Sequence, residues 1–489
     1  MNKIINILLA SFLLVGSTSC GDDFLQTTPS DKLADSKAFT SIEGAQLVLT
    51  GAYDWVSNGW IAHNLNQYIF FYPDITGDDA LVNPVSNYNR FVAPYQYNVD
   101  PASTYSDDPW KGCYSLIDNT NAILDNINSL PESKERDRIE GEALSLRTYA
   151  YHFLVRAYAK PVNKYPDSPG VILRLSSSVT DLPRSTVKAV YDQMVKDMER
   201  ACLLLKDNSS SSKVYIGENA AHGILARLYL DLGDETNGVL HAQSALKGIT
   251  LMDKSVYKSK FCEINSETLW SFECTADDNQ FYLSLPSFWY YCDDNGSNVV
   301  SGYSSLRVSK NLIDLMDDND IRKTQFPKNT STGAFIRRPA TTGGYLTSKI
   351  HSRNNQMGQG SFNMLRGSEM YLIIAELAAD KSHFTVARDA LNAVRQARGL
   401  TDYTGADANL VGEIQNERRR ELFAEGHRMF DLKRRNLPLT RVGVQGHDLW
   451  TNQINLPAGS DKFELPIPQE EFDANKALST SDQNPEYRK

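Results

Sequence analysis

The chain has 489 residues, of which 22% are charged and 41% are hydrophobic, and its formal net charge is −10 at pH 7. This acidic balance argues against proteins that bind nucleic acid or anionic membrane surfaces, because those proteins carry basic patches. The length allows two or three domains or one helical superstructure.

The first residues are typical of a bacterial secretory signal. Met1-Asn2-Lys3 is followed by an apolar run at 4–15 and by small residues, and Cys20 stands where the signal ends. The apolar run is too short to span a bilayer as a stable helix. Small residues directly before a Cys resemble a lipobox, although an ordinary signal with a chance Cys is the alternative. We predict a signal peptide at 1–19, lipid attachment at Cys20, a tether at 20–35 and a body at 36–489.

Helical periodicity dominates the body. The segments 36–57, 109–128, 140–158 and 186–205 each place apolar residues along one face. The segments 219–233 and 237–248 form a predicted helical hairpin that resembles a tetratricopeptide unit, and 362–400 resembles a second one. Single units cannot bury their own faces, so several must stack. We predict an all-α fold in which tetratricopeptide-like helical pairs form a core, with long irregular loops and a few short strands over it.

Two regions interrupt the helical pattern, at 58–108 and 249–361. The first is rich in Pro, Gly, Tyr, Asn and Asp, and the second contains strand-like alternation at 267–274. Loops of this length are usually functional or disordered, and the aromatic content argues against disorder. We therefore predict that both regions carry ligand contacts.

Five cysteines follow Cys20, and an odd number cannot all pair. Cys113 and Cys202 lie in helical patterns and are predicted to be small buried hydrophobes. A disulfide among Cys262, Cys274 and Cys292 is possible in an oxidising compartment, but the sequence does not select one. No C-x-x-C motif occurs, so we predict no zinc or thioredoxin-type site.

Two charged segments suggest chemistry but have simpler explanations. On a helix at 417–435, three glutamates share one face and His427 and Asp431 follow, which would suit a metal or acid–base catalysis. Arginines are interspersed among them, so we predict ion pairs that fix helix packing. The run 317–320 resembles a calcium loop but lacks its spaced Gly and its last Glu. We predict a capped turn there, after a helix at 304–316.

Aromatic side chains in the two irregular regions are the most informative feature for binding. A sugar ring has an apolar C–H face that stacks on an aromatic ring, and its hydroxyl groups need polar partners such as Arg, Asn or Asp. The runs 88–91, 95–97 and 288–295 combine both kinds of residue, although burial in the core is the alternative for 289–291. Trp110 fits the apolar face of the predicted helix at 109–128, and Trp270 fits the strand-like alternation at 267–274. Both are therefore predicted to lie in the core. The predicted ligand-binding residues are Tyr88, Arg90, Tyr97, Trp289, Tyr290 and Tyr291.

Six segments in a fixed order resemble the SusD/RagB family of outer-membrane nutrient-binding lipoproteins. They include "GEALSLRTYAYHFLVRAYAKP" at 141–161, "IQNERRRELFAEGHRMFDLKRRN" at 414–436 and "LPIPQEEFDAN" at 465–475. The departures are Gly367-Ser368, where the family usually has an apolar pair, and a looser C-terminal tail. Acidic residues after Cys20 resemble the surface-export signal of lipoproteins in the same lineage.

The resemblance implies a helical core and no catalysis, and the missing motifs predict no cofactor or metal. It also implies a glycan ligand and a partnership with a SusC-like TonB-dependent barrel transporter, at the outer membrane and facing the cell exterior. Two alternatives stay open. One is peptide uptake, as in the RagB branch, and the other is a secreted glycoside hydrolase, which would need two carboxylates flanking one bond.

Overall fold

The computed structural model describes residues 38–57, 65–84, 87–178, 180–208, 210–278, 281–289, 302–338 and 343–488. The predicted signal peptide, Cys20, the tether, Tyr290, Tyr291 and Cys292 lie outside these residues. Most of the described chain is helical, which confirms the predicted fold class. The helices are α1 (Ile42–Ser57), α2 (Leu65–Ile75), α3 (Val92–Tyr95), α4 (Thr104–Asn126), α5 (Lys134–Tyr158), α6 (Val187–Leu204), α7 (Glu218–Leu232), α8 (Glu235–Ala245), α9 (Lys254–Ser259), α10 (Leu285–Trp289), α11 (Lys310–Asp314), α12 (Gly367–Asp380), α13 (Phe384–Ala397), α14 (Leu410–Leu422), α15 (Arg428–Arg435) and α16 (Gln469–Ala474).

Helix α5 lies at the centre of the helical core. Of its 25 residues, 18 are buried, and α4 and α6 pack against it. The Ser133 hydroxyl caps its N-terminus by accepting from the backbone N–H of Arg136. A helix that is buried on most of its surface lies inside the core, with other helices packed around it.

Helical pairs extend this core in the tetratricopeptide-like arrangement that the sequence predicts. Helices α7 and α8 pack together, as do α12 and α13, and α12 also packs against α8 and α14. Gly233 ends α7 with a φ of 71°, a conformation that costs Gly little. The predicted stripe of α1 is also confirmed, because its buried residues are Ala45, Leu49, Ala52 and Val56.

Two small antiparallel sheets lie beside the helices. One contains β1 (Ala80–Val82), β3 (Leu306–Val308), β4 (Arg337–Arg338) and β5 (Gly344–Tyr345), in the order β1-β3-β5-β4. The other pairs β2 (Thr268–Cys274) with β6 (Gly360–Arg366), so that Phe272 lies opposite Phe362. Strand β2 confirms the predicted alternation at 267–274, and Trp270 is core, as predicted.

The structure corrects the prediction that 58–108 is irregular throughout. Helix α2 lies within this region, and all eleven of its residues are buried. Because the helix is buried on every side, its sequence shows no apolar stripe. Pro73 lies inside α2 and has no backbone N–H to donate to the carbonyl of Ile69 four residues earlier.

The structure also corrects two predicted helix boundaries. The segment 304–316 contains strand β3 followed by α11, because Leu306 and Val308 pair with Val82 and Ala80 of β1. The segment 417–435 contains two helices, α14 and α15. Gly426 lies between them with a φ of 80°, and a Cβ atom there would meet the carbonyl oxygen of Ile69 at 2.2 Å. A positive φ is incompatible with a continuous α-helix, and the close approach of Ile69 leaves no room for a side chain at this position.

The predicted capped turn at 317–320 is present. The backbone N–H of Asp320 donates to the carbonyl of Asp317 at 3.0 Å, and the Asp320 carboxylate accepts from the backbone N–H of Arg322. The same carboxylate pairs with the Arg322 guanidinium at 2.7 Å, and both side chains are fully buried. The Asp320 carboxylate therefore has a partner within the protein.

A buried group of paired charges joins these segments, and we call it the Glu421 network. It confirms that the charges on α14 form ion pairs. Glu421 pairs with Arg366 at 2.5 Å, Arg398 at 2.9 Å and Arg322 at 3.0 Å. The network consists of Glu267, Asp320, Arg322, Lys349, Arg366, Arg398, Glu417, Arg420, Glu421 and Glu425.

The network has equal numbers of acidic and basic side chains, five of each, so their formal charges cancel. Lys349 shows how fully its donors are used: Nζ donates to the carbonyls of Glu421 and Phe423 at 2.7 Å and to the Glu425 carboxylate at 2.6 Å. Burial lowers the pKa of Lys349 to about 8. Buried charges are tolerated when they are paired in this way.

No helix in the part of the chain described here is long and apolar enough to cross a lipid bilayer.

Candidate ligand-binding surface

Exposed aromatic side chains surround Arg90, and we call Tyr88, Arg90, Tyr282 and Tyr303 the Arg90 cluster. Tyr88 and Tyr282 are 72% and 49% exposed. The guanidinium carbon of Arg90 lies 3.9 Å from the centre of the Tyr303 ring and 5.4 Å from that of Tyr88. The Tyr303 ring centre is 5.6 Å from that of Tyr88 and 5.8 Å from that of Tyr282. The cluster therefore joins the two irregular regions of the sequence.

A tight turn presents Tyr88 and Arg90. Tyr88, Asn89 and Phe91 have φ values of 53°, 60° and 57°. Such left-handed conformations cost a residue with a side chain about 1 kcal/mol or more each. Asn87 holds the turn, because its side-chain oxygen accepts from the backbone N–H of Asn89 at 2.7 Å and its carbonyl accepts from that of Arg90 at 3.0 Å. Strain of this kind is common at functional sites.

A buried aromatic layer supports the cluster from below. The Phe288 ring centre lies 5.7 Å from that of Tyr303, 5.5 Å from that of Phe91 and 4.9 Å from that of Phe71. The backbone N–H of Tyr303 donates to the hydroxyl of Ser287 at 3.0 Å. Because the rings are held before binding, a ligand would not have to order them.

The structure separates the predicted ligand residues into three groups. Tyr88 and Arg90 lie together in the Arg90 cluster. Tyr290 and Tyr291 lie outside the described residues. Tyr97 and Trp289 are only 8% and 1% exposed, so their rings offer no face to a ligand.

The burial of Tyr97 and Trp289 has a clear structural cause. The Tyr97 hydroxyl donates to the carbonyl of Thr76, and its ring packs edge-on against Phe463 with centres 6.0 Å apart. Trp289 is the last residue of α10, whose five residues are all buried. Both are core aromatics.

Tyr282 and Tyr303 were not among the predicted ligand residues. Both lie in the predicted region 249–361, on either side of the aromatic run 288–295. Their position close to that run is the only feature of the sequence that could have marked them as ligand residues. Their convergence on Arg90 depends on the fold and is not visible in local sequence.

A separate cleft of about 300 Å³ lies between the end of α1 and strand β2. Tyr53, Tyr215 and Trp270 form its aromatic wall, and Glu273 and Asp278 contribute carboxylates. The Tyr53 hydroxyl is already used, because it donates to Glu142 at 2.7 Å and accepts from the backbone N–H of Ile216 at 2.9 Å. The Tyr53 side chain is therefore held in place, and Trp270 belongs to the core.

The cysteine predictions are partly resolved. Cys113 and Cys202 are buried, as predicted, and their thiols are free. Cys262 and Cys274 also carry free, buried thiols. Cys262 makes contacts of 3.4 Å with the carbonyl of Lys349 and the backbone N–H of His351. Cys292 lies outside the described residues, so a disulfide between Cys292 and Cys262 or Cys274 stays a prediction.

Comparison with known proteins identifies the family of this chain. Residues 23–230 match a family model described as starch-binding and associating with the outer membrane, and residues 278–487 match the model of the SusD family. The chain belongs to the SusD/RagB family. Two SusD-like proteins of Formosa agariphila are similar over nearly the whole chain. One is 25% identical, over 98% of both chains, and the other is 23% identical, over 96% of this chain and 100% of its own.

Solved structures show the same SusD fold. A SusD superfamily protein from Bacteroides thetaiotaomicron is 25% identical, with a TM-score of 0.78 and coverage of 91% of this chain and 100% of that one. A SusD-like carbohydrate binding protein from Bacteroides vulgatus is 24% identical, with a TM-score of 0.79 and coverage of 90% and 98%.

Proposed function

We propose that this chain is a lipid-anchored glycan-binding protein of the cell surface that passes its ligand to a SusC-like TonB-dependent barrel transporter. The observation that carries the proposal is the Arg90 cluster. It places the exposed rings of Tyr88 and Tyr282 beside a guanidinium and a third ring, Tyr303, on a rigid aromatic layer.

The chemistry of the cluster suits a sugar. An exposed tyrosine ring offers a flat apolar face to the C–H groups of a pyranose, and its hydroxyl group adds a donor and an acceptor. A guanidinium presents several N–H donors to ring hydroxyl groups and cannot lose its charge. The two exposed rings, Tyr88 and Tyr282, lie on either side of Tyr303, and this spread matches an oligosaccharide better than a single sugar.

The proposed anchor and partner rest on the family and on the N-terminal sequence. Family members are described as associating with the outer membrane. Acyl chains on Cys20 would hold the chain there, since each buried CH₂ contributes about 0.8 kcal/mol. Delivery to a SusC-like barrel and orientation towards the cell exterior follow from the resemblance of the chain to SusD/RagB lipoproteins.

We also propose that the protein binds without catalysis. In the Glu421 network the carboxylates are committed to arginine and lysine partners, so they do not form the unpaired acid–base couple that glycoside hydrolysis needs. Incubation with soluble polysaccharides should therefore release no new reducing ends. Sustained turnover that one Asp or Glu substitution abolishes would contradict this.

Calorimetric titration of the full chain against soluble polysaccharides, beginning with starch, tests the glycan site. Truncating a dominant binding residue costs about 2 kcal/mol, which is roughly thirtyfold in affinity. Tyr88→Ala or Tyr303→Ala should weaken binding by that factor. Tyr165→Ala is the matched control, because Tyr165 is a 43% exposed tyrosine outside the cluster. Binding of peptides but of no polysaccharide would favour the RagB-type alternative and overturn the glycan proposal.

Co-purification tests the partner separately. When the protein is extracted from outer membranes in mild detergent, a SusC-like barrel should accompany it. Isolation of the protein alone under conditions that preserve other membrane complexes would contradict the partnership without affecting the glycan site.

A further inference from the structure

Three helices of the core bring a thiol and two imidazoles together. Cys202 lies near the end of α6, His222 near the start of α7, and His241 in α8. One ligand atom of each residue lies within 4.8 Å of those of the other two. The Nδ1 atoms of the two histidines are 2.8 Å apart. The Cys202 thiol is free and the residue is buried.

This geometry is close to that of a tetrahedral metal site. Zn²⁺ binds thiolate sulfur at about 2.3 Å and imidazole nitrogen at about 2.0–2.1 Å, so two nitrogens on one zinc are about 3.4 Å apart. The Nδ1 atoms of His222 and His241 would have to separate by roughly 0.6 Å from their present contact. Both side chains are only half-buried, so a small rotation can supply this movement.

An aromatic ring and a carboxylate lie beside the ligands. The Tyr229 ring stacks on His241 with centres 5.6 Å apart and planes 18° apart, and its hydroxyl donates to Glu199 at 3.2 Å. The stacked ring limits rotation of the His241 imidazole.

We propose that Cys202, His222 and His241 bind Zn²⁺ and that the metal links α6, α7 and α8. Sulfur and imidazole donors together suit zinc better than the oxygen-seeking cations Ca²⁺ and Mg²⁺. The fourth position is open to water or to a nearby carboxylate. The three ligands are spread over 40 residues in no short motif, so the absence of C-x-x-C carries no information about this site.

Cobalt provides a direct test, because a cysteine thiolate bound to Co²⁺ gives a charge-transfer absorption band in the near ultraviolet. The full chain should be purified without an affinity tag, stripped with a chelator and titrated with Co²⁺ and with Zn²⁺. We expect one ion per chain, the thiolate band with cobalt, and a melting temperature that rises with free zinc. The Cys202→Ala and His241→Gln variants should lose the band and weaken zinc binding at least hundredfold.

The controls separate this site from other thiols and imidazoles. Cys113→Ala removes another buried thiol and His383→Gln another histidine, and both variants should bind as the parent does. If Cys202→Ala fails to fold, Cys202→Ser keeps the side-chain volume and must lose the band as well. The proposal is overturned if the parent gives no thiolate band, or if the band persists without Cys202. The alternative is then a neutral hydrogen bond between two imidazoles.

Discussion

Glu421 offers the sharpest test of what the buried charges contribute to stability. Its carboxylate is fully buried and accepts from three guanidiniums, those of Arg322, Arg366 and Arg398. In Glu421→Gln the side chain keeps its size and one acceptor oxygen. The other oxygen becomes an NH₂ group, which faces N–H donors and can accept nothing.

The expected cost can be estimated in two ways. Removing one partner of a buried ion pair costs about 3–5 kcal/mol, because the remaining charge is left uncompensated. Alternatively, the substitution removes about two charge-assisted hydrogen bonds of roughly 1.5–3 kcal/mol each. Both routes predict that Glu421→Gln lowers the free energy of unfolding by about 3–5 kcal/mol.

Urea unfolding followed by circular dichroism at pH 7 measures this difference. Glu470→Gln is the matched control, because Glu470 pairs with Lys111 at 2.5 Å but its side chain is 69% exposed. An exposed pair contributes little, so the control should change the free energy of unfolding by no more than about 0.5 kcal/mol.

The pH dependence gives a second measurement. Burial alone would raise the pKa of Glu421, but Arg398, Arg366 and Arg322 hold it well below its usual value. The stabilisation is therefore present above the ordinary pKa of Glu and is lost as pH falls through the folded-state pKa. Glu421→Gln should lose less stability on acidification than the parent. A variant as stable as the parent at pH 7 would refute the reasoning, because the network would then contribute no net stability.

Four further outcomes are expected. Gly426→Ala should lower the melting temperature strongly, since its Cβ would meet a carbonyl oxygen at 2.2 Å, whereas Gly412→Ala on α14 has open space and should be neutral or stabilising. Burial lowers the pKa of His447 to about 3, so as pH falls below 6.5 the parent should lose about 1.4 kcal/mol of stability per pH unit more than a His447→Gln variant in urea unfolding. Trp289→Ala should destabilise the fold by about 3–5 kcal/mol in the same assay. Cys20→Ala should release the protein from the outer-membrane fraction.

Each of these outcomes has a clear contrary result. Equal melting temperatures for the two glycine variants would remove the steric account of the break between α14 and α15. Equal losses of stability between pH 6.5 and 5 for the parent and His447→Gln would contradict the lowered pKa of His447. Loss of ligand affinity with unchanged stability in Trp289→Ala would return Trp289 to the binding site. A Cys20→Ala variant that stays membrane-bound would contradict lipidation at that residue.

The sequence predicted the long helices whose apolar residues form a visible stripe and missed α2, which has none. The stripe of α1 was visible because its opposite face is exposed. Helix α2 is buried on all sides and contains polar Asn66 and Gln67, so it has no stripe. The break at Gly426 depends on the carbonyl of Ile69, more than 350 residues earlier in the chain, and no local pattern records such a contact.

The sequence predicted which regions carry the candidate site but not all the residues that form it. In an irregular segment no helical or strand periodicity shows which aromatic rings are exposed and which are buried. Tyr88 and Tyr97 are nine positions apart in similar sequence, yet one is exposed and the other packs against Phe463. What distinguishes them is tertiary contact with the C-terminal part of the chain.

The Glu421 network also has a consequence for how the chain is made and exported. Its cations Arg322, Lys349, Arg366 and Arg398 precede three of its five carboxylates, which are Glu417, Glu421 and Glu425. A chain that ends before α14 would hold four buried cations against Glu267 and Asp320 alone, and unpaired buried charge opposes collapse. Completion of the core thus waits for the last sixth of the polypeptide, from residue 410 onwards. A prematurely terminated product would stay open to proteases.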